Sequence, residues 1–277
     1  MSTVPSTLVL TGATSGIGEA VAHRLAAHAP RLIVHGPQRP GNVSRFLAHL
    51  KELGPGEVHY IQADFDELAA VETLAERITG LTDRVDVLIN NAGRPGPTVR
   101  QLSSDGNERT LQTNYLAPVL LTARLALLLR AARGRVVNVS SATHLSASLN
   151  LDDLNMEHAA YSSTNAYSRS KLALVAHARW LVDQAPEPRY DAVSLHPGVI
   201  RTTLLHAMFD IDGDPVIDGA RNVVRAANAA GPWKGEYLDE DRPSRPNPVV
   251  LETEFRRLLM EQTFRLTRTG ADGTHGP

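Results

Sequence analysis

Thr7-Leu8-Val9-Leu10-Thr11-Gly12-Ala13-Thr14-Ser15-Gly16-Ile17-Gly18 is the stretch whose reading decides the fold. A short apolar run leads straight into a glycine cluster, and a helical pattern from Ile17 to Ala27 opens inside that cluster. Glycine permits a sharp strand-to-helix turn, lets the backbone approach an anion and lets helix and strand pack closely. The first turn of a helix presents unpartnered N–H groups at the positive end of its dipole, so this unit is suited to hold phosphate. An isolated glycine cluster is as often an ordinary turn. The strand before it and the helix after it make this one a dinucleotide candidate, with Gly12, Thr14, Ser15, Gly16, Ile17 and Gly18 as the contacts.

Working outward, apolar runs recur at Leu32 to His35, Val58 to Gln62, Val85 to Asn90, Arg135 to Ser140 and Ala192 to His196. Each is apolar almost throughout, as strands covered on both faces of a parallel sheet must be. Helical patterns fill the gaps, among them Glu67 to Thr79 and Ala166 to Gln184, the last stopped by Pro186-Glu187-Pro188. The order βαβα predicts an α/β fold: a single Rossmann-type, doubly wound parallel sheet with helices on both faces. Beyond Pro197-Gly198 the pattern is irregular from Asp210 to Pro215, helical near Gly219 to Ala230, and a proline-rich link from Pro243 to Pro248. A last amphipathic helix follows from Pro248 to Leu266, with Glu252, Glu254, Arg256 and Arg257 read as its solvated face. One domain is expected over residues 1–266, with a disordered tail at 267–277.

The 277 residues suffice for one substantial core. A net charge of -2 gives no basic excess to attract nucleic acid or anionic lipid, so a small-molecule partner is expected. With no cysteine, disulfides, thiolate metal sites and cysteine nucleophiles are excluded, and no His, Asp or Glu grouping has ligand spacing, so no metal is expected. The N-terminus lacks a signal-peptide pattern, and Leu116 to Leu129 is too short and too polar for a membrane span; a cytoplasmic protein is expected.

Downstream stand Asp64-Phe65, Asn90-Asn91-Ala92-Gly93, Gln112-Thr113-Asn114-Tyr115, Val137-Asn138-Val139-Ser140-Ser141, Tyr167-Ser168-Arg169-Ser170-Lys171 and Pro197-Gly198-Val199-Ile200-Arg201-Thr202. With the spacing Gly-x-x-x-Gly-x-Gly, these segments resemble the short-chain dehydrogenase/reductase family over roughly residues 7–205. The texture of SSDGNERTLQTN, NAYSRSKLAL and SLHPGVIRT is most like the retinol-dehydrogenase and WW-domain-oxidoreductase branch. The resemblance implies catalytic roles for Asn114, Ser141, Tyr167 and Lys171. It also implies cofactor contacts by Asp64, Phe65, Asn91, Ala92, Gly93, Tyr167, Lys171, Pro197, Gly198, Val199 and Thr202, and a homo-oligomer through Tyr115 to Arg130 and Ala166 to Gln184.

The chemistry fits those residue types. Hydride transfer to a carbonyl leaves an alkoxide that needs a proton, and one acid/base group serves both directions. A phenol with a pKa of about 10 needs a cation beside it to act near neutrality. On a helix Lys171 shares a face with Tyr167, whereas Tyr161 has Asn165 four residues on and gains no cation. Ser141 would hydrogen-bond the substrate oxygen, and Asn114 would hold a water linking Lys171 to solvent. Taken alone, the Tyr167/Lys171 pair is a common structural pair; the glycine turn and Ser141 are what lift it.

The second strand ends His35-Gly36-Pro37-Gln38-Arg39. With no acid there to repel a 2′-phosphate and Arg39 close by, NADP(H) is favoured and NAD(H) remains open. Arg39 is equally readable as a loop charge in water. Substrate contacts are assigned to His144, Leu204, Leu205 and Met208, with Phe209 and Ile211 completing an apolar lid for a lipophilic ketone or alcohol; His144 and His196 are as readily structural. Rival functions on the same fold are an epimerase, a dehydratase or cyclase, and a dinucleotide-sensing binding protein.

Overall fold

A computed structural model describes residues 6–183, 190–209 and 211–269. In chain order the elements are β1 (Thr7–Leu10), α1 (Gly16–Ala26), β2 (Arg31–Gly36), α2 (Ser44–Glu52), β3 (Glu57–Gln62), α3 (Leu68–Thr79), β4 (Val87–Asn90), α4 (Arg109–Leu111), α5 (Ala117–Arg124), α6 (Ala126–Ala132) and β5 (Arg135–Val139). They continue with α7 (Ser163–Asp183), β6 (Asp191–His196), α8 (Thr203–Met208), α9 (Val216–Asn228), β7 (Glu236–Asp239), β8 (Arg242–Ser244) and α10 (Thr253–Thr267). The strands form one sheet in the order β3-β2-β1-β4-β5-β6-β7-β8. Pairing is parallel throughout except between β7 and β8.

Side chains alternate across each strand, which divides the core in two. Leu8, Leu10, Val34, Ile89, Val137 and Leu195 pack with α1, α2 and α9 on one face. Val9, Ile33, Leu88 and Val136 pack with α3, α5 and α7 on the other. The doubly wound parallel sheet expected from the sequence is therefore present, with two strands that its pattern did not reveal. β7 is the strand Glu-Tyr-Leu-Asp, whose acidic, exposed ends keep it from reading as a buried run. Its antiparallel neighbour β8 carries Pro243, tolerable because β8 is the sheet's edge. The supposed proline-rich link thus begins as a strand.

The C-terminal helix also differs from its reading. A 3-10 turn at Pro248–Leu251 precedes α10. Arg256, assigned to a solvated face, is 4% exposed: it donates to the Val250 carbonyl at 2.7 Å and pairs with Asp183. α10 lies over α7 and the turn Gln112–Leu116, where the Tyr115 hydroxyl meets Thr263 Oγ1 at 2.7 Å and Phe264 stands edge-on to Trp180. Of the two stretches expected to serve a homo-oligomer, α10 covers Tyr115 and Trp180, while Leu127 stays exposed. Thr267, placed in the tail on sequence, closes α10, with its hydroxyl bonded to the Thr263 carbonyl. Gln184, the Pro186-Glu187-Pro188 stop, Asp210 and residues 270–277 lie outside the described residues. Among the described residues no single helix is long and apolar enough to cross a membrane.

Candidate active site

β1 lies between β2 and β4, so chain order reverses there and the strand ends splay into a crevice, the usual ligand position in open α/β sheets. A cleft of about 580 Å³ runs across these ends, lined by the 12–18 turn, residues 63–66, 91–95, 139–143, 196–200 and 202–205, together with Tyr167 and Lys171.

The glycine turn is built by close approach. Gly12 sits at φ +63°, and a Cβ there would lie 2.6 Å from Ala92 Cα; at Gly18 a Cβ would lie 1.9 Å from the Gly12 oxygen. Asn91 Nδ2 donates to the Thr11 and Gly12 carbonyls at 3.0 Å each, and Thr11 Oγ1 accepts from the Asn91 and Ala92 N–H groups. Asn91 therefore locks the turn to β4. Ser15, at the N-cap of α1, makes no side-chain cap, which leaves the first-turn N–H groups for an external anion. Thr202 reaches across to this turn, its methyl 3.4 Å from where a Gly16 Cβ would stand, while its hydroxyl caps α8. These features fit the phosphates of a dinucleotide.

At the far end of the cleft Thr14 donates to Gln38 Oε1 at 2.8 Å, and the two side chains fill the space beside Gly36. A Cβ at Gly36 would lie 2.7 Å from Thr14 Cγ2. The Tyr60 hydroxyl bonds the carbonyls of Gly36 and Gln38 at 3.0 and 2.6 Å, holding the strand end in place. Arg39 is exposed and outside the cleft wall, so Gln38 occupies the position that sequence reasoning gave to Arg39. Phe65 lines the wall and stacks on His35. Asp64 Oδ1 accepts from the Asp66 N–H, and Asp66 is ion-paired with Arg94 and Arg109.

Ser141, Tyr167 and Lys171 come together at the other end. β5 delivers Ser141 just past its carboxyl end, and α7 delivers the other two from one face. Ser141 Oγ accepts from the Thr143 N–H at 3.3 Å and from its hydroxyl at 3.2 Å, which leaves the serine proton free to be donated. Burial pushes the Tyr167 phenol up to about 12, opposed by its hydrogen bond with Ser141. Burial pushes Lys171 down to about 8. Its Nζ donates to the Val139 carbonyl at 2.9 Å and stands 5.5 Å from the Tyr167 ring centroid. Desolvation sets the direction for the phenol and the expected lowering by Lys171 is not seen, so Tyr167 is protonated at neutral pH.

Asn114 is fully buried within a π-helical turn at Gln112–Leu116. Its amide donates to the Arg94 carbonyl and to Ser170 Oγ and accepts from the Arg94 N–H at 2.8 Å, fastening the segment after Gly93 to α7. His144 is also away from the cleft. It is fully buried, its Nδ1 donates to the Ser141 carbonyl at 2.7 Å, and Asn247 N–H approaches Nε2 at 3.4 Å. It braces the serine backbone and leaves no nitrogen for substrate. Met208 too is off the wall, whereas Leu204, Leu205, Phe209 and Ile211 line it. His35, Gln38 and Thr143 were missed; the signal for His35 was an ionisable residue closing an otherwise apolar strand. Among the described residues no His/Asp/Glu group could hold a metal.

Comparison with known proteins places the chain in a family. The model named short chain dehydrogenase matches residues 6–211. A Streptomyces protein described as a candidate daunorubicin C-13 ketoreductase is 38% identical over 200 residues, 72% of this chain and 67% of its own. Human retinol dehydrogenase 13 is 33% identical over 288 residues, 96% of this chain and 86% of its own. The crystal structure of an uncharacterised protein from Mycobacterium paratuberculosis superposes with a TM-score of 0.77 at 29% identity, covering 96% of each chain. The chain belongs to the short-chain dehydrogenase/reductase family, with relatives in its retinol-dehydrogenase branch.

Proposed function

We propose that the protein is an NAD(P)(H)-dependent oxidoreductase that interconverts a carbonyl and an alcohol on a small, lipophilic substrate, with Tyr167 as general acid and base. The observation that carries this reading is the junction of Ser141, Tyr167 and Lys171 at one end of a cleft whose other end is the glycine turn. When bound, the nicotinamide supplies or accepts the hydride. Ser141, its oxygen already accepting from Thr143, donates a hydrogen bond to the substrate oxygen as negative charge develops there. Tyr167 gives that oxygen its proton in reduction and takes it back in oxidation, and Lys171 steadies the phenolate that reduction leaves.

Leu204, Leu205, Phe209 and Ile211 favour an apolar substrate at the mouth of the cleft. The names of the two relatives point the same way, since retinol and daunorubicin are largely hydrocarbon or aromatic. NADP(H) is favoured over NAD(H) because no carboxylate stands at the end of β2. A cytoplasmic setting belongs to the proposal and rests on the cysteine-free composition.

The direct test is Tyr167→Phe, assayed on a panel of ketones, aldehydes and alcohols with NADPH and NADH. Turnover should drop at least a thousandfold while dinucleotide Kd stays within threefold. Retained turnover would remove the mechanism. Product formation without net change in the cofactor would replace it with an epimerase or dehydratase.

A further inference from the structure

His35 lines the dinucleotide cleft, yet the proton chemistry at Tyr167 makes no use of it. It sits one residue before the end of β2 and is 2% exposed. Nδ1 accepts from the Gly12 N–H at 3.3 Å, and Nε2 donates to the Ala63 carbonyl at 3.0 Å. One ring face lies on Phe65, centroids 4.4 Å apart and planes inclined by 15°. The His35 backbone carbonyl accepts from the Ala13 N–H at 2.8 Å. A single residue thus joins the turn after β1, the end of β2 and the segment after β3, which are three walls of the same crevice.

These contacts demand one state of the ring. Nδ1 faces an N–H and Nε2 faces a carbonyl, so the imidazole is neutral with its proton on Nε2. Core packing alone gives no reason for histidine at this place. Val9, Ile33 and Ile61 make up the neighbouring apolar cluster, and an aliphatic side chain would have extended it without the cost of desolvating two nitrogens. What the imidazole adds is the position of Gly12, whose φ of +63° is held by the bond from its own N–H.

We propose that His35 is a positioning residue for the adenosine diphosphate half of the dinucleotide. By engaging the Gly12 N–H it sets the turn so that the free N–H groups at the start of α1 face the phosphates. By bracing Phe65 and Ala63 it sets the wall beside the adenine. The assignment rests on the dinucleotide reading above.

The probes are NADH, NADPH, ADP and nicotinamide mononucleotide, titrated against the full chain by fluorescence and calorimetry, with thermal unfolding followed in parallel. His35→Phe keeps the ring shape and the stacking but loses both hydrogen bonds. It should weaken NADH, NADPH and ADP each by tenfold or more and leave nicotinamide mononucleotide within twofold. His35→Asn, which can restore an acceptor near Gly12, should bind ADP more tightly than His35→Phe. In the wild type, the coupling between Gly12 nitrogen and His35 Nδ1 across their hydrogen bond should persist in the NADH complex; this measurement stands even where His35→Phe does not fold.

Loss of that coupling on binding, ADP affinity within twofold in folded His35→Phe, or an equal loss for nicotinamide mononucleotide would each overturn the assignment. Failure of the wild type to bind NADH or NADPH would instead remove the dinucleotide reading and the role of His35 with it.

Discussion

At the scale of single residues, the end of β2 is where charge selects the cofactor. Thr14 and Gln38 close over Gly36 through a 2.8 Å hydrogen bond, and their packing leaves a neutral amide where a carboxylate would discriminate. An acid at Gly36 itself would collide with Thr14, so position 38 is the place to install one. Gln38→Asp should weaken NADPH by at least tenfold through repulsion of its 2′-phosphate, with NADH changed by less than threefold. Titration of each cofactor by fluorescence measures the ratio, and an unchanged ratio would show that the 2′ position is read elsewhere. Sequence spacing made this segment visible as a cofactor end but could not say which residue faces inward. Arg39 points to solvent because the Tyr60 bonds to the Gly36 and Gln38 carbonyls fix the chain one residue earlier. His144 is the same kind of case: its proximity to Ser141 in sequence was readable, but its direction depends on Asn247, a hundred residues away.

At the scale of elements, α10 depends on a buried cation that its amphipathic pattern disguised. Arg256 bonds the Val250 carbonyl and Thr253 and pairs with Asp183 at the end of α7, while Arg257 pairs only with Glu254 and Glu261 in solvent. Hydrogen bonds to charged groups contribute about 1.5–3 kcal/mol, whereas exposed pairs contribute about 0–1. Arg256→Met should therefore lower unfolding free energy in urea by about 2 kcal/mol or more, and Arg257→Met by less than about 0.5 kcal/mol. Equal small effects would return Arg256 to the solvated face on which its spacing first placed it. Strands β1 to β6 and the helices between them were legible because buried parallel strands are apolar throughout and their helices have a period of their own. β7, β8 and the π-helical turn at Asn114 were not, since their form comes from neighbours: β7 from pairing with β6, and the turn from the Arg94 and Ser170 bonds that hold Asn114.

At the scale of the whole molecule, buried groups that stay neutral link folding to pH. Desolvation lowers His35 from 6.5 to about 4, against the opposing Ala63 bond and the nearby Asp64 charge, and lowers His177 to about 3. Between those values and about 6.5 the unfolded chain binds protons that the folded chain refuses, so stability rises with pH across that window and falls on acidification. Each pKa unit is equivalent to about 1.4 kcal/mol, which makes the combined loss several kcal/mol, a large share of the roughly 5–15 kcal/mol that holds a domain together. Lys171 acts in the same sense at the alkaline end. Its value of about 8 lies below the 10.5 of a free lysine, so stability should rise again between those two values. The urea midpoint should therefore climb from pH 4 to 6.5, run nearly level to pH 8 and climb again toward pH 10, above which the buried phenols raised by desolvation, Tyr60, Tyr161 and Tyr167 among them, turn the slope downward. In His177→Gln the acid slope should become shallower, because one of the refused protons no longer exists. A midpoint independent of pH between 4 and 6.5 would mean that both imidazoles titrate normally, and the neutral ring that Gly12 and Ala63 require of His35 would have to be abandoned.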